Sequence, residues 1–198
     1  IVAMHSYRES IFSELAQTIT AQLVGDIQIH GKGYQASPAL ENVVRDPVAV
    51  EARLAEAVPG AVAERRVLGA GLAGAKDNSS GAIIMGVEPG KGAGDPDIKK
   101  GATLPPAPKH VVVLGTELAN ELNVDVGGEV VLVGQAADGS VANDKYTVVG
   151  LADAGTSELN ATAVFLHIKD AQDFFGLGDG VHELVVHLPR GSAEHEAG

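Results

Sequence analysis

The sequence predicts an α+β protein in two lobes, a helix-on-sheet lobe made from both chain ends with a β-rich subdomain inserted between them. Three observations predict it. Residues 1–89 read as α-β-α-β-β and residues 161–198 as β-α-β, and each half is too short to cover both faces of its own sheet. Between them, Val111 to Gly150 carries a closely patterned strand, helix, strand, hairpin and strand. A Gly/Pro-rich passage from Gly90 to Pro108 precedes that module, and such composition sustains neither a helix nor a central strand. The predicted division is therefore 1–89 plus 161–198 for the first lobe and 90–160 for the insert.

From His5 to Val24, Ile11, Phe12, Leu15, Ile19 and Leu23 recur at helical spacing and predict one amphipathic helix ended by Gly25. Asp26–His30 alternates apolar and polar residues, as a half-buried strand does. Gly31–Pro38 reads as loop. Asp46-Pro47 supplies an N-cap and an N1 proline to a helix through Val50, Leu54 and Ala57, and Pro59-Gly60 stops it. Val62–Leu68 is a strand whose Glu64, Arg65 and Arg66 suit an edge. Ala82–Val87 is the most hydrophobic strand of this half, hence central.

In the module, Val111–Leu114 is a buried β-branched run. Thr116 reads as the N-cap of a helix Glu117–Leu122, which Asn123 ends in the left-handed region. Gly127-Gly128 turns into the strand Glu129–Val133, and Asp138-Gly139 makes a hairpin to Lys145–Val149. Ala163–Ile168 follows as a strand, Asp170 as the cap of a short helix through Phe174 and Phe175, and Val181–Leu188 as the last strand.

The chain has 198 residues, 45% of them hydrophobic but only 4% aromatic, with 25 glycines, so its core is aliphatic and its loops are many. A net charge of −12 argues against nucleic acid, whose affinity comes from Lys and Arg on phosphates, and against anionic lipid surfaces. Without cysteine there is no disulfide and no thiolate metal site. No window reaches the length of apolar sequence a membrane span needs. The chain begins at Ile1 rather than Met, and Ile1–Met4 reads as the stub of an apolar helix belonging to something longer.

The candidate chemistry is thin. Gly69-Ala70-Gly71-Leu72-Ala73-Gly74 matches G-x-G-x-x-G, but a dinucleotide site needs a helix opening at the glycines. Here the turn sequence Ala75–Gly81 follows, so the stretch reads as a mobile hairpin tip. His182 and His187 lie five apart on one strand and face opposite sides, and His30 and His167 have no ligand-spaced partner. Ser79-Ser80 and Ser157 lack a nucleophile-elbow setting, and Asp95-Pro96-Asp97 and Asn143-Asp144 lack calcium-loop spacing. No catalytic residue, cofactor site or metal site is predicted.

Six stretches follow one another in order. They are Gly25-Asp26-Ile27-Gln28-Ile29-His30-Gly31, Ile83-Ile84-Met85-Gly86-Val87-Glu88-Pro89 and Leu114-Gly115-Thr116-Glu117-Leu118-Ala119, then residues 122–130, Tyr146-Thr147-Val148-Val149-Gly150, and Ala163-Val164-Phe165-Leu166 ahead of Asp170-Ala171-Gln172. Together they resemble the extracytoplasmic domain of MacB/FtsX-type ABC-transporter permeases, nearest the lipoprotein-releasing LolC/LolE-like branch. Gly127-Gly128 departs from the family's more usual Gly-Asp. The resemblance implies a non-catalytic domain on the outer side of the inner membrane, inserted between the first two transmembrane helices of a permease. Its partners would be a separate ATPase, a second permease copy or paralogue, and a lipoprotein, lipid or envelope-protein substrate. Two other readings are a regulatory module recruiting a cell-wall hydrolase, as FtsX-like relatives do, and a Gly-loop nucleotide-binding enzyme.

A domain without chemistry needs an adaptable docking surface, and such surfaces concentrate on loops. The candidates are Tyr34, between glycines and alanine in the 31–38 loop, and Leu72, among the glycines of 69–74. If both dock a partner, Tyr34→Ala and Leu72→Ser leave the melting temperature nearly unchanged and weaken capture.

Overall fold

The computed structural model describes residues 26–34, 39–91 and 96–189; the helix expected over His5–Val24 and the tail after Gly191 lie outside the described residues. The elements are β1 (Ile27–His30), α1 (Pro47–Ala57), β2 (Val62–Ala75), β3 (Asn78–Val87), β4 (Asp97–Gly101) and β5 (Val111–Gly115). They continue with α2 (Thr116–Glu121), β6 (Glu129–Gln135), β7 (Val141–Asp153), α3 (Ser157–Asn160), β8 (Ala163–His167), α4 (Ile168–Phe175) and β9 (Glu183–His187). The chain is α+β, as its sequence predicts.

Strand pairing divides at β2. Its first part, Val62 to Arg66, pairs with β9, and β9 pairs with β1, giving a small antiparallel sheet built from both ends of the described chain. From Val67 onward β2 pairs with β3, and Gly71–Gly74 pair also with β6. The ladder then runs β3–β8–β5–β7–β6 and returns to β2, so these strands close into a barrel. Closure leaves the ring itself no unpaired edge. β4 lies outside it as an edge strand on β7.

Alternate residues point inward, as the two-residue period of a strand requires. Val67, Ile84, Leu114, Leu132, Val148 and Leu166 fill the barrel with aliphatic side chains. Leu118 and Leu122 of the α2 turn and Ala171, Phe174 and Phe175 of α4 join the same core. The two phenylalanines meet edge to face, ring centroids 4.9 Å apart. Outside, the faces of β3, β8 and β5 are covered through Met85, Val113 and Phe165, packed with Leu104 and Leu159.

Several expectations change. The 90–160 segment does not form a sheet of its own, because β8 pairs with both β3 and β5 and so joins the proposed insert to the flanking halves. The part built from both chain ends is smaller than 1–89 plus 161–198, since β3, β8 and α4 belong to the barrel. The Gly/Pro-rich crossing contains β4. Thr116 is the first residue of α2 behind an N-cap at Gly115, and Asp170 lies in the first turn of α4 behind His167, whose Nδ1 accepts from the Lys169 N–H.

The largest change concerns Gly69–Gly74, which is not a hairpin tip but the second half of β2; the turn falls at Lys76-Asp77. Gly69 and Gly71 are there for close approach. A Cβ on Gly69 would run into the Phe175 ring, and one on Gly71 would lie 2.5 Å from the Val133 carbonyl oxygen. These two glycines are therefore consumed by barrel packing, while Gly74 has room for a Cβ.

Candidate docking surfaces

Leu72 and Tyr34 occupy different parts of the molecule. Leu72 is 54% exposed on the outer face of β2, opposite Val133 of β6. Because register partners project to the same side of a sheet, Leu72, Val131 and Val133 share that face, with Val141 opposite Gln135 at its border. All four are exposed, Val141 to 78%. A Lys145–Glu129 ion pair of 2.9 Å flanks them. This side of the barrel is open, whereas the β3–β8–β5 side is covered. The sequence reading found Leu72 but missed the valines. Their signal was the unbroken run Val130-Val131-Leu132-Val133, apolar at both parities of a strand that needs only one apolar face for the core.

Tyr34 is not on an open surface. It is 4% exposed, stacked on His30 with centroids 5.2 Å apart and tilted against His182 at 5.5 Å. Its turn closes with the Tyr34 N–H donating to the Gly31 carbonyl at 3.1 Å. The hydroxyl has no hydrogen-bond partner among the described residues. Burial, reinforced by Glu183, pushes its pKa well above the ordinary tyrosine value. The structure thus places the Tyr34 ring in the packing of the small sheet rather than on an open loop, unlike Leu72.

The rings cover one end of a polar face that sequence reasoning read as edge charge. On the small sheet, His30, Glu183 and Arg66 lie in register across β1, β9 and β2. Glu183, Arg66 and Glu64 are buried. Arg66 Nη2 donates to Glu64 Oε2 at 3.3 Å, His187 Nε2 lies 2.8 Å from Glu64 Oε1, and His30 Nδ1 is 3.9 Å from Glu183 Oε1. Arg65 turns the other way and holds Glu51 of α1 with two 2.6 Å bonds. The edge reading fits the backbone of Val62–Arg66, which pairs on one side, with the Arg65 N–H capped by the Glu88 carboxylate at 3.1 Å. Among the described residues no group of three or more His, Asp or Glu is placed to hold a metal.

Among the described residues these features make a scaffold with an open apolar face on the barrel, and comparison with known proteins identifies its kind. The MacB-like periplasmic core domain family matches residues 1–197, and the chain belongs to that family. Its fold is similar to that of the extracellular domain of the noncanonic ABC-type transporter YknZ from Gram-positive bacteria, with a TM-score of 0.59 at 12% identity over 84% of this chain and 83% of that one. It is also similar to the periplasmic region of MacB from Actinobacillus actinomycetemcomitans, with a TM-score of 0.59 at 14% identity over 86% and 78%. No curated protein matches the chain.

Proposed function

We propose that this chain is the non-catalytic extracytoplasmic domain of an ABC-transporter permease, coupling the motion driven by a separate ATPase to release or transport of a lipoprotein, lipid or other envelope substrate. The family match over residues 1–197 carries the reading. Two observations support it. The glycine motif, the one sequence feature pointing to nucleotide chemistry, lies in a barrel strand, and its first two glycines have a packing explanation against Phe175 and β6. The two ends of the described chain also meet: the Leu188 N–H donates to Asp26 Oδ2 at 2.7 Å, as a domain inserted between two membrane helices requires.

In this reading the domain works at the outer side of the inner membrane beside a second permease copy or paralogue. Lipoprotein release is the cargo that the likeness to the LolC/LolE-like branch favours. The test is affinity capture of the full-length permease from crosslinked envelopes. Co-enrichment of an ATPase and lipoproteins is the expected result. A cell-wall hydrolase in place of lipoproteins transfers the domain to the recruiting role of FtsX-like relatives, and saturable shifts of the Gly69, Gly71 and Gly74 amides with ATP or NAD overturn the non-catalytic reading.

A further inference from the structure

His182 stands where β2 changes partners. Arg66 is the last residue of β2 paired with β9, opposite Glu183, and Val67 is the first paired with β3, opposite Gly86. The ladder between β2 and β9 ends there, and His182 bridges the seam with both backbone and ring. Its N–H donates to the Arg66 carbonyl at 2.9 Å, while its Nδ1 accepts from the Leu68 N–H at 3.0 Å. Its Nε2 lies 3.1 Å from the Leu40 carbonyl oxygen. An imidazole that accepts at Nδ1 and faces a carbonyl at Nε2 must be neutral with its proton on Nε2. The ring is fully buried, so water cannot replace either partner.

We propose that His182 is an acid-sensitive joint between the small β1–β9–β2 sheet and the barrel, closed while the imidazole is neutral and loosened when it takes a second proton. Protonated Nδ1 is a donor facing the Leu68 N–H donor, so the bond that holds β2 across the seam becomes a repulsion. The Nε2 bond to Leu40 survives protonation, so the break falls on the barrel side. The segment carrying Leu40 stays on the small sheet, held by the paired backbones of Val44 and Val181 at 2.7 and 3.1 Å.

Among the described residues, the neighbouring charged groups do not supply a counter-ion to the ring. Tyr34 presents its ring and separates His182 from His30. Glu183 faces His30, and Glu64 is shared by Arg66 and His187. Glu41 and Arg45 of the Leu40 segment are exposed, and Asp179 is paired with Lys169. Burial accordingly depresses the His182 pKa to about 4, against which the Leu40 carbonyl acts weakly in the other direction. The sign follows. An opened joint titrates near the ordinary value of about 6.5 and binds the proton first, so closure is complete above about pH 6.5. It then weakens by up to about tenfold per pH unit down to about pH 4.

The experiment is residue-resolved hydrogen exchange on the 198-residue chain at several pH values, corrected for intrinsic exchange, with the barrel amides of β8 as internal reference. The expected result is protection at Leu68 that falls up to about a hundredfold between pH 6.5 and 4.5 while β8 stays constant. His182→Gln, whose amide accepts from Leu68 and donates to Leu40 without titrating, is expected to flatten that dependence. Constant Leu68 protection in the native chain, or an unchanged slope in the variant, overturns the proposal. Imidazole ¹⁵N shifts of the native chain decide independently of the variant. A neutral Nε2–H ring at pH 6.5 whose titration moves the Leu68 amide with the same midpoint supports the joint, and a cationic ring at that pH or an unmoved amide refutes it.

Discussion

Along β2, Val67, Ala73 and Ala75 enter an aliphatic barrel, whereas Glu64 and Arg66, a few residues earlier on the same strand, bury charge. The barrel gains its stability from dense apolar contact, with glycines where helix α4 presses in. The small sheet shares that core through Leu184 on one face, and on the other it also buries Glu64, Arg66 and Glu183 beside His30 and His187. Charge buried this way contributes little net stability while intact and costs heavily when one partner is lost. With the proposed His182 joint, the difference predicts that the barrel holds its shape while the small sheet responds to acid.

The barrel half of that contrast breaks most readily at Phe175. Phe175→Ala is expected to cost about 3–5 kcal/mol in urea unfolding, since the ring is fully buried and its removal leaves a cavity at the barrel end. Gly69→Ala is expected to cost about 1–3 kcal/mol by overpacking against the same ring. The two are coupled: in a Phe175→Leu background the cost of Gly69→Ala falls. Simple additivity would mean that the glycine serves something other than this contact.

The small-sheet half breaks by acid. Because the folded His182 pKa lies at about 4 and the unfolded one near 6.5, its contribution is fully present above about pH 6.5 and is lost as pH falls toward 4. The expected loss of unfolding free energy across that window is up to about 3 kcal/mol. The exposed Asp125, Asp138 and Asp179 and the half-buried Asp153 are held below the ordinary carboxylate value mainly by Lys100, Ser140, Lys169 and the Gly155 N–H respectively, so they act in a more acid range. Urea titrations at pH 7 and 4.5 check this, and a flat stability between them would remove the distinction between the two regions.

What the sequence reveals also follows the line between local and distant contacts. The β5–α2–β6–β7 path was legible because each step is decided by adjacent residues: Asn123 adopts φ 52° and Gly139 φ 86° where the turns need them. Barrel closure was not, because β2 meets β6 some sixty positions later in the chain. A glycine-rich strand looks like a loop until Phe175, which explains Gly69, is placed beside it. The candidate surface divides the same way. Leu72 stands out among glycines in the sequence, while the burial of Tyr34 depends on His182, which sequence proximity gives no hint of.

A smaller effect is expected from the Tyr34 hydroxyl. Its buried hydroxyl has no partner among the described residues, so Tyr34→Phe is expected to leave stability unchanged or raise it by up to about 1 kcal/mol, as read by urea unfolding. Tyr34→Ala, which removes the ring packed between His30 and His182, is expected to cost about 3 kcal/mol or more. Equal losses in both variants would show that the hydroxyl, rather than the ring, holds the turn.

The smallest effect on stability and the most specific one on function are expected at the open barrel face. Leu72 and Val133 pair across β2 and β6 on the outside of a closed ring, so neither contributes to its interior. Surface substitutions there usually change stability by no more than about 0.5 kcal/mol. Leu72→Ser together with Val133→Thr should therefore leave unfolding nearly unchanged, the threonine keeping strand preference at β6. If the face docks the transported substrate or its carrier, the same double variant weakens capture from crosslinked envelopes while Val62→Thr, an exposed valine on the small sheet, does not. Equal capture by both variants would move the docking surface off the barrel, and loss by both would assign it to a region spanning the seam.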